Sequence, residues 1–194
     1  MTRSVQRRER VLEVLRNRQA DLTVVLENIH DPHNVSAILR SCDAVGVLRV
    51  ELLYTQERFP VVGKKSSSSA NKWLQMRRHT SAQDCFHTLH REGFTIHATH
   101  LGGTAVSLYD LDLTEKVALV FGNEHRGVSD EIASMADGNF HIPMRGMIRS
   151  LNVSVAAAVS LYEGMRQRLR RGANTSSTIP DGDIAILFDE WMKR

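Results

Sequence analysis

Three polar, glycine-containing loops follow apolar strand-like runs in this chain: FTIHATHLGG (94–103), VALVFGNEHRG (117–127) and the stretch FHIPMRGMIRSLNVSVAAAVSLYEGMRQRLRR (140–171). With them stand five side chains able to do chemistry, Asn34, Arg40, Glu124, Ser150 and Asn152. Backbone N–H and C=O groups in glycine loops suit a ligand with an adenine edge, ribose hydroxyls and an amino-acid zwitterion. Free N–H groups at a helix start, where Ser150 and Asn152 fall, attract anions. An arginine on a helix face suits a phosphate. These residues point to a small-ligand site beside a polyanion site, and three such loops place it in one crevice at the carboxyl edge of a parallel sheet.

Several other chemistries are excluded. No GxGxxG follows a strand and no GxxxxGK[ST] is present, so the dinucleotide and P-loop fingerprints are missing. Ser150 lacks a surrounding GxSxG. Two cysteines, Cys42 and Cys85, make neither a metal set nor a disulfide framework; no metal is expected. No run reaches 18 uncharged apolar residues, so no membrane span is expected and the cytoplasm is the default location.

The net charge of +3 says little by itself, but its distribution says more. Residues 1–18 hold Arg3, Arg7, Arg8, Arg10, Arg16 and Arg18 against Glu9 and Glu13, and the end of the last long helix adds Arg166, Arg168, Arg170 and Arg171. Clustered arginines can track a phosphate backbone; the second cluster also suits the negative end of a helix dipole. The tract KKSSSSANKW (64–73) reads either as a flexible surface loop or as a substrate-facing loop whose Lys64, Lys65 and Lys72 meet phosphates. Arg7, Arg8, Arg10, Lys64, Lys65 and Arg166 are the candidate RNA contacts.

The elements that position these groups follow from periodicity. Residues 4–18 fit an amphipathic helix that packs weakly; 21–29 form a buried strand, and HDPHN (30–34) a turn. A helix over 35–45 puts Val35, Ile38, Leu39, Cys42 and Val45 on one arc, with Arg40 nearly opposite. A strand over 47–53 completes a βαβ unit, hence a parallel sheet. Further strands are expected over 74–79, 94–99 and 117–121, and helices over 81–92 and 129–136, the latter capped by Ser129 and ended by Gly138. The long helix would pack through Val155, Ala156, Val159 and Tyr162, with Ala157 and Ala158 allowing close approach. A terminal amphipathic piece, 184–192, needs a partner surface on its own subunit or another. Asn34 and Asn152 could each be simple helix caps, and Glu124 a surface turn residue.

Three segments are then recognisable. NVSAILRSCDAVGV (34–47), LVFGNEHRGVS (119–129) and IPMRGMIRSLNVSVAAAVSLYE (142–163) resemble, in the expected order, the three motifs of the SPOUT methyltransferase superfamily, SpoU branch. The opening DLTVVLENIHDPHNVSAILRSCDAVGV and the ATHL segment (98–101) look most like its tRNA guanosine-2′-O-methyltransferases. The resemblance implies an α/β fold, a mostly parallel sheet flanked by helices, with a C-terminal trefoil knot holding S-adenosylmethionine. It implies a basic helical extension over 1–20, the methyltransferase domain over 21–172 and a C-terminal extension over 173–194. It also implies a homodimer with the active site at the subunit interface, where helix 152–171 supplies much of the contact. The cofactor pocket would use Thr99, His100, Leu101, Gly122, Ile142 and Leu151. The reaction would methylate a ribose 2′-oxygen of tRNA, at the D-loop guanosine of position eighteen. Alternatives are ribosomal RNA or another tRNA position, or an inactive RNA-binding relative. In this family the arginine matching Arg40 is held to be catalytic. A guanidinium keeps its proton in proteins, so Arg40 is expected to grip a phosphate and ease the charge of an emerging alkoxide. Asn34 would hold Arg40 or the loops, Glu124 would orient that network, and Ser150 with Asn152 would fix the third loop.

Overall fold

The computed structural model describes residues 3–60, 70–172 and 178–194. Helices α1 (Arg3–Arg16), α2 (Pro32–Ala44), α3 (Ala82–Arg91), α4 (Asp130–Met135), α5 (Val153–Arg170) and α6 (Asp181–Met192) surround a single sheet. Its strands are β1 (Gln19–Glu27), β2 (Val47–Leu53), β3 (Gln75–His79), β4 (Thr95–Thr99), β5 (Val106–Ser107), β6 (Val117–Phe121) and β7 (Gly138–His141). They lie in the order β3-β2-β1-β6-β4-β7-β5, each paired in parallel with its neighbours. The expected α/β class and parallel sheet are therefore present.

The central strands β1 and β6 read as continuous apolar runs because both faces of the sheet are covered. Val24, Leu26, Leu119 and Phe121 point to one side, against Ile38, Leu39 and Cys42 of α2 and Ala157 and Leu161 of α5. Val25, Ala118 and Val120 point to the other, against Phe86 and Leu89 of α3 and Ile132 of α4. This two-sided burial fixes the register, since a one-residue slip would turn each strand over.

Several local expectations change in the folded chain. Helix α2 begins three residues early: Asp31 caps it by accepting from the His33 N–H at 2.8 Å, and Pro32 occupies the first turn, where a missing N–H costs nothing. Asn34 is therefore no cap, and its side chain is available for other work. Gly138 opens β7 rather than ending α4, which stops at Met135; a Cβ there would lie 2.9 Å from His97 Nδ1. The buried face of α5 is Ala157, Ser160, Leu161, Glu163, Gly164 and Arg168, with Ala156 and Val159 packed against the core as expected, while Val155 and Tyr162 are exposed. Small residues let α5 seat closely on its neighbours, as expected at Ala157; Ser160 and Gly164 extend that contact, which a count of large apolar side chains does not reveal. No strand was expected at 106–107; two residues are too few to leave a periodic signal.

Helix α1 is not loosely attached. Its Val11 and Leu15 are buried with Leu48, Ile179, Leu187 and Trp191, so α6 finds its partner surface on the same chain. Trp191 stacks at 5.1 Å from Trp73 and 5.2 Å from the guanidinium of Arg18. Arg18 itself is buried, paired with Asp43 and donating to Val47 O at 2.8 Å. Trp191→Ala should remove hydrogen-exchange protection from α1 and α6 together while β1 and β6 keep theirs, because truncating a buried Trp costs about 3–5 kcal/mol. Uniform loss across the sheet would show instead that this small cluster and the main core open as one.

Candidate active site

The loop after β6 is built around Gly122. A Cβ on that residue would lie 2.2 Å from the carbonyl carbon and oxygen of Gly127 and from Val128 N, all backbone atoms that cannot yield. The loop closes on itself through the Gly127 N–H, which donates to Asn123 O at 2.8 Å with Gly127 at φ +71. It is moored to the end of β1 by Asn123 Nδ2, which donates to Asn28 O at 2.8 Å in a buried position.

Glu124 then reaches across to the start of α2. Its carboxylate accepts from the N–H groups of His30 and Asp31, both at 3.0 Å, and from Asn34 Nδ2 at 2.9 Å. A carboxylate there also answers the positive end of the helix. On its other side, Asn34 Oδ1 accepts from Asn152 Nδ2 at 3.0 Å, while Asn152 Oδ1 accepts from the Ser154 N–H at 2.8 Å and caps α5. Asn152 is thus both a cap and a link. One polar path, Glu124–Asn34–Asn152, ties together the three recognised sequence segments. Partial burial alone raises the Glu124 carboxyl, but hydrogen bonds from Asn34 and from the backbone of His30 and Asp31 outweigh it and hold the group below the ordinary glutamate range.

These loops bound a cleft of about 610 Å³ at the carboxyl ends of β4, β6 and β7, within the range of ligand pockets. Thr99, His100, Leu101, Gly122, Ile142 and Leu151 all line it, as do Glu124, Ser150 and Asn152. Thr99 is held by its hydroxyl on Val120 O at 3.0 Å, and Ser150 is exposed at the rim. His125, Arg126, His141, Met144 and Arg149 line it too. Sequence reasoning did not single these out, although Arg126 sits inside GNEHRG and Arg149 next to Ser150. Arg40 does not line its own chain's cleft. It lies on the exposed face of α2, about 9 Å along the helix from Asn34.

The candidate RNA contacts differ in their freedom. Arg7 is exposed, the Arg8 guanidinium lies 5.0 Å over the Phe188 ring, and Arg10 pairs with Glu13 at 2.8 Å. Arg166 makes two bonds to Glu163, at 2.7 and 2.6 Å. Lys64 and Lys65 lie outside the described residues. Arg168, counted in the second basic cluster, is buried and donates to Leu113 O at 2.8 Å. Among the described residues no cluster of His, Cys, Asp or Glu could hold a metal ion, and no helix is long and apolar enough to cross a membrane.

The SpoU rRNA Methylase family matches residues 21–162, which take in every loop of this cleft. The chain belongs to the SpoU rRNA methylase family. One SpoU relative, from Thermus thermophilus and named tRNA (guanosine(18)-2′-O)-methyltransferase, is 49% identical over 192 residues, spanning 99% of this chain and 98% of that one. A solved A. aeolicus TrmH/SpoU tRNA modifying enzyme has a TM-score of 0.91 and 36% identity, covering 98% of this chain and 96% of that one. The SpoU methyltransferase AviRb from Streptomyces viridochromogenes, solved in complex with the cofactor AdoMet, has a TM-score of 0.71 and 27% identity, over 81% of this chain and 62% of that one.

The Glu124 network makes acid stability testable. A carboxyl whose folded pKa lies below its unfolded value, about 4.3, stabilises the fold above that pH and ceases to do so as pH falls through the lower folded value. Glu124→Gln should therefore be less stable than wild type near about pH 7, with the gap narrowing steadily below about pH 4. Denaturant melts across that interval measure it; a gap independent of pH would show that Glu124 does not act through its charge.

Proposed function

We propose that this protein transfers a methyl group from S-adenosylmethionine to the ribose 2′-oxygen of a guanosine in tRNA, at D-loop position eighteen, and that it works as a homodimer. The observation that carries this reading is the convergence of all three SpoU segments on one cleft through the Glu124–Asn34–Asn152 path. The T. thermophilus relative supports the tRNA guanosine, and AviRb supports the cofactor.

The cleft fits that cofactor. Gly122 leaves a backbone cradle that a side chain would fill, and Leu101, Ile142 and Leu151 offer apolar walls between polar backbone segments. Thr99, His100, Leu101, Gly122, Ile142 and Leu151 would hold S-adenosylmethionine. When bound, it supplies a methyl group activated by a sulfonium. The remaining work belongs to the protein: a sugar hydroxyl is a poor nucleophile at neutral pH, so placement dominates. Asn34, Glu124 and Asn152 keep the loops in register, and Ser150 at the rim faces the incoming RNA.

Arg40 contributes from the exposed face of α2, so it serves a cleft formed between two chains. There it grips the phosphate next to the target ribose and stabilises charge on the 2′-oxygen as the proton leaves. Exposed Val155, Tyr162 and Leu169, spaced at seven residues along α5, support a helix face used for dimer contact. Strand β7 enters between β4 and β5 rather than at an edge, which supports a C-terminal segment threaded as a trefoil knot. The core unit is 21–172; the 1–20 and 173–194 extensions, joined through α1 and α6, present Arg7, Arg8 and Arg10 to tRNA. Arg166 and the Lys64–Lys65 tract would add to that surface.

Purified protein with labelled S-adenosylmethionine and unmodified tRNA transcript should place 2′-O-methyl on the position-eighteen guanosine; methylation confined to ribosomal RNA or to another tRNA nucleotide would overturn the substrate, and none at all would favour a binding role. Arg40→Ala should lower turnover by about a hundredfold or more while cofactor affinity, by calorimetry, stays within about twofold. Loss of cofactor binding in that variant would place Arg40 in the wrong role. Arg7→Ala should weaken tRNA binding and reduce the slope of log affinity against log salt by about one. An unaltered slope would remove Arg7 from the RNA surface.

A further inference from the structure

A second cavity of about 230 Å³ opens at the carboxyl ends of β1 and β6, next to the cleft, with Asn123, Arg126, Gly127, Val128 and Asp130 as a shared wall. The strand order reverses here: β2 and β3 lie beyond β1 on one side, and β6 and β4 on the other. That reversal is where open α/β sheets bind ligands. The cavity is smaller than the roughly 300 Å³ at which drug-sized pockets begin, so it takes one ring system rather than a whole nucleotide.

Its distinguishing group is Glu27, only 5% exposed. One carboxylate oxygen, Oε2, accepts from the Ser129 N–H at 3.0 Å. The other, Oε1, has no hydrogen-bond partner among the described residues. Oε1 is not sealed among protein atoms but opens onto the cavity, where a ligand that brings an N–H can meet it. With Asp130 on the same wall, the cavity disfavours phosphate and favours a donor edge. Gln56 stands opposite on a loop held by Asn28, whose Oδ1 accepts from the N–H groups of Thr55, Gln56 and Glu57 at 3.0, 3.1 and 3.2 Å.

We propose that this cavity receives the base of the target guanosine and that Glu27 is a specificity residue, accepting from guanine N1–H. The inference rests on the methyl-transfer reading of the adjoining cleft. Guanine N1 carries a hydrogen and its neighbour O6 is an acceptor, which the Gln56 amide or the Arg126 guanidinium can meet. Adenine reverses both: N1 is a lone pair and its neighbour is an amino group. Opposed to Glu27, adenine leaves two lone pairs facing each other, a mismatch that costs about tenfold to a hundredfold.

Replacing Glu27 by Gln turns this argument into a test. The amide oxygen remains on the Ser129 N–H, so the NH₂ faces the cavity; it opposes guanine N1–H and can donate to adenine N1. Wild type, Glu27→Gln and Gln56→Glu are assayed on two tRNA transcripts differing only in G or A at the methylated position, with cofactor affinity measured alongside. The G-over-A ratio should fall about tenfold or more in Glu27→Gln, and should fall as well in Gln56→Glu, an exposed loop position that puts an acceptor opposite O6. Cofactor affinity should stay within about twofold. A proportionate loss on both RNAs with unchanged ratios means that Glu27 only moors the Ser129 turn, and overturns the inference. Wild type inert on both RNAs overturns the methyl-transfer reading, and this inference with it.

Discussion

The turn that leads into helix α2 presents the backbone N–H groups of His30 and Asp31, and Glu124, some ninety residues later, satisfies both from outside. The same carboxylate receives Asn34, which in turn receives Asn152. Removing any member leaves a partly buried donor or acceptor unmatched, so the three loops are positioned together or not at all. The rest of the fold makes that meeting possible: parallel strands bring every loop to one edge, and cover on both faces prevents the strands from sliding.

Much of this was legible in the residues. The apolar runs at β1 and β6 announced buried strands, Ser129 announced the start of α4, and the three glycine loops announced a crevice at one sheet edge. The six residues expected in the cofactor pocket share one cleft. That Asn34, Glu124 and Asn152 touch was not legible, because those contacts span 90 and 118 residues and leave no local pattern. The family resemblance could say that these residues matter; only the fold says that they matter through each other.

Charge counting misled where burial intervened. Arg18 and Arg168 sit inside the two basic clusters of the sequence, yet both are buried and bind backbone carbonyls, Val47 O and Leu113 O. A guanidinium with five donors can close several loose chain ends at once, and these two do so at the bases of α1 and α5. The amphipathic pattern of α5 misled for a related reason. Around Leu161 its inward face is made of Ala157, Ser160 and Gly164, residues too small to stand out in an apolar pattern yet the ones that permit close helix contact.

Strand β5 has one partner in the sheet, β7, and β7 comes about thirty residues later. While the chain emerges from a ribosome, Val106 and Ser107 therefore have no ladder to join until Gly138–His141 have been made. The edge of the sheet beyond β4 stays open throughout that interval, exposing unpaired backbone groups of the kind that recruit stray strands. Strand β7, which carries one wall of the cleft, is also the piece that seals the nascent protein against aggregation.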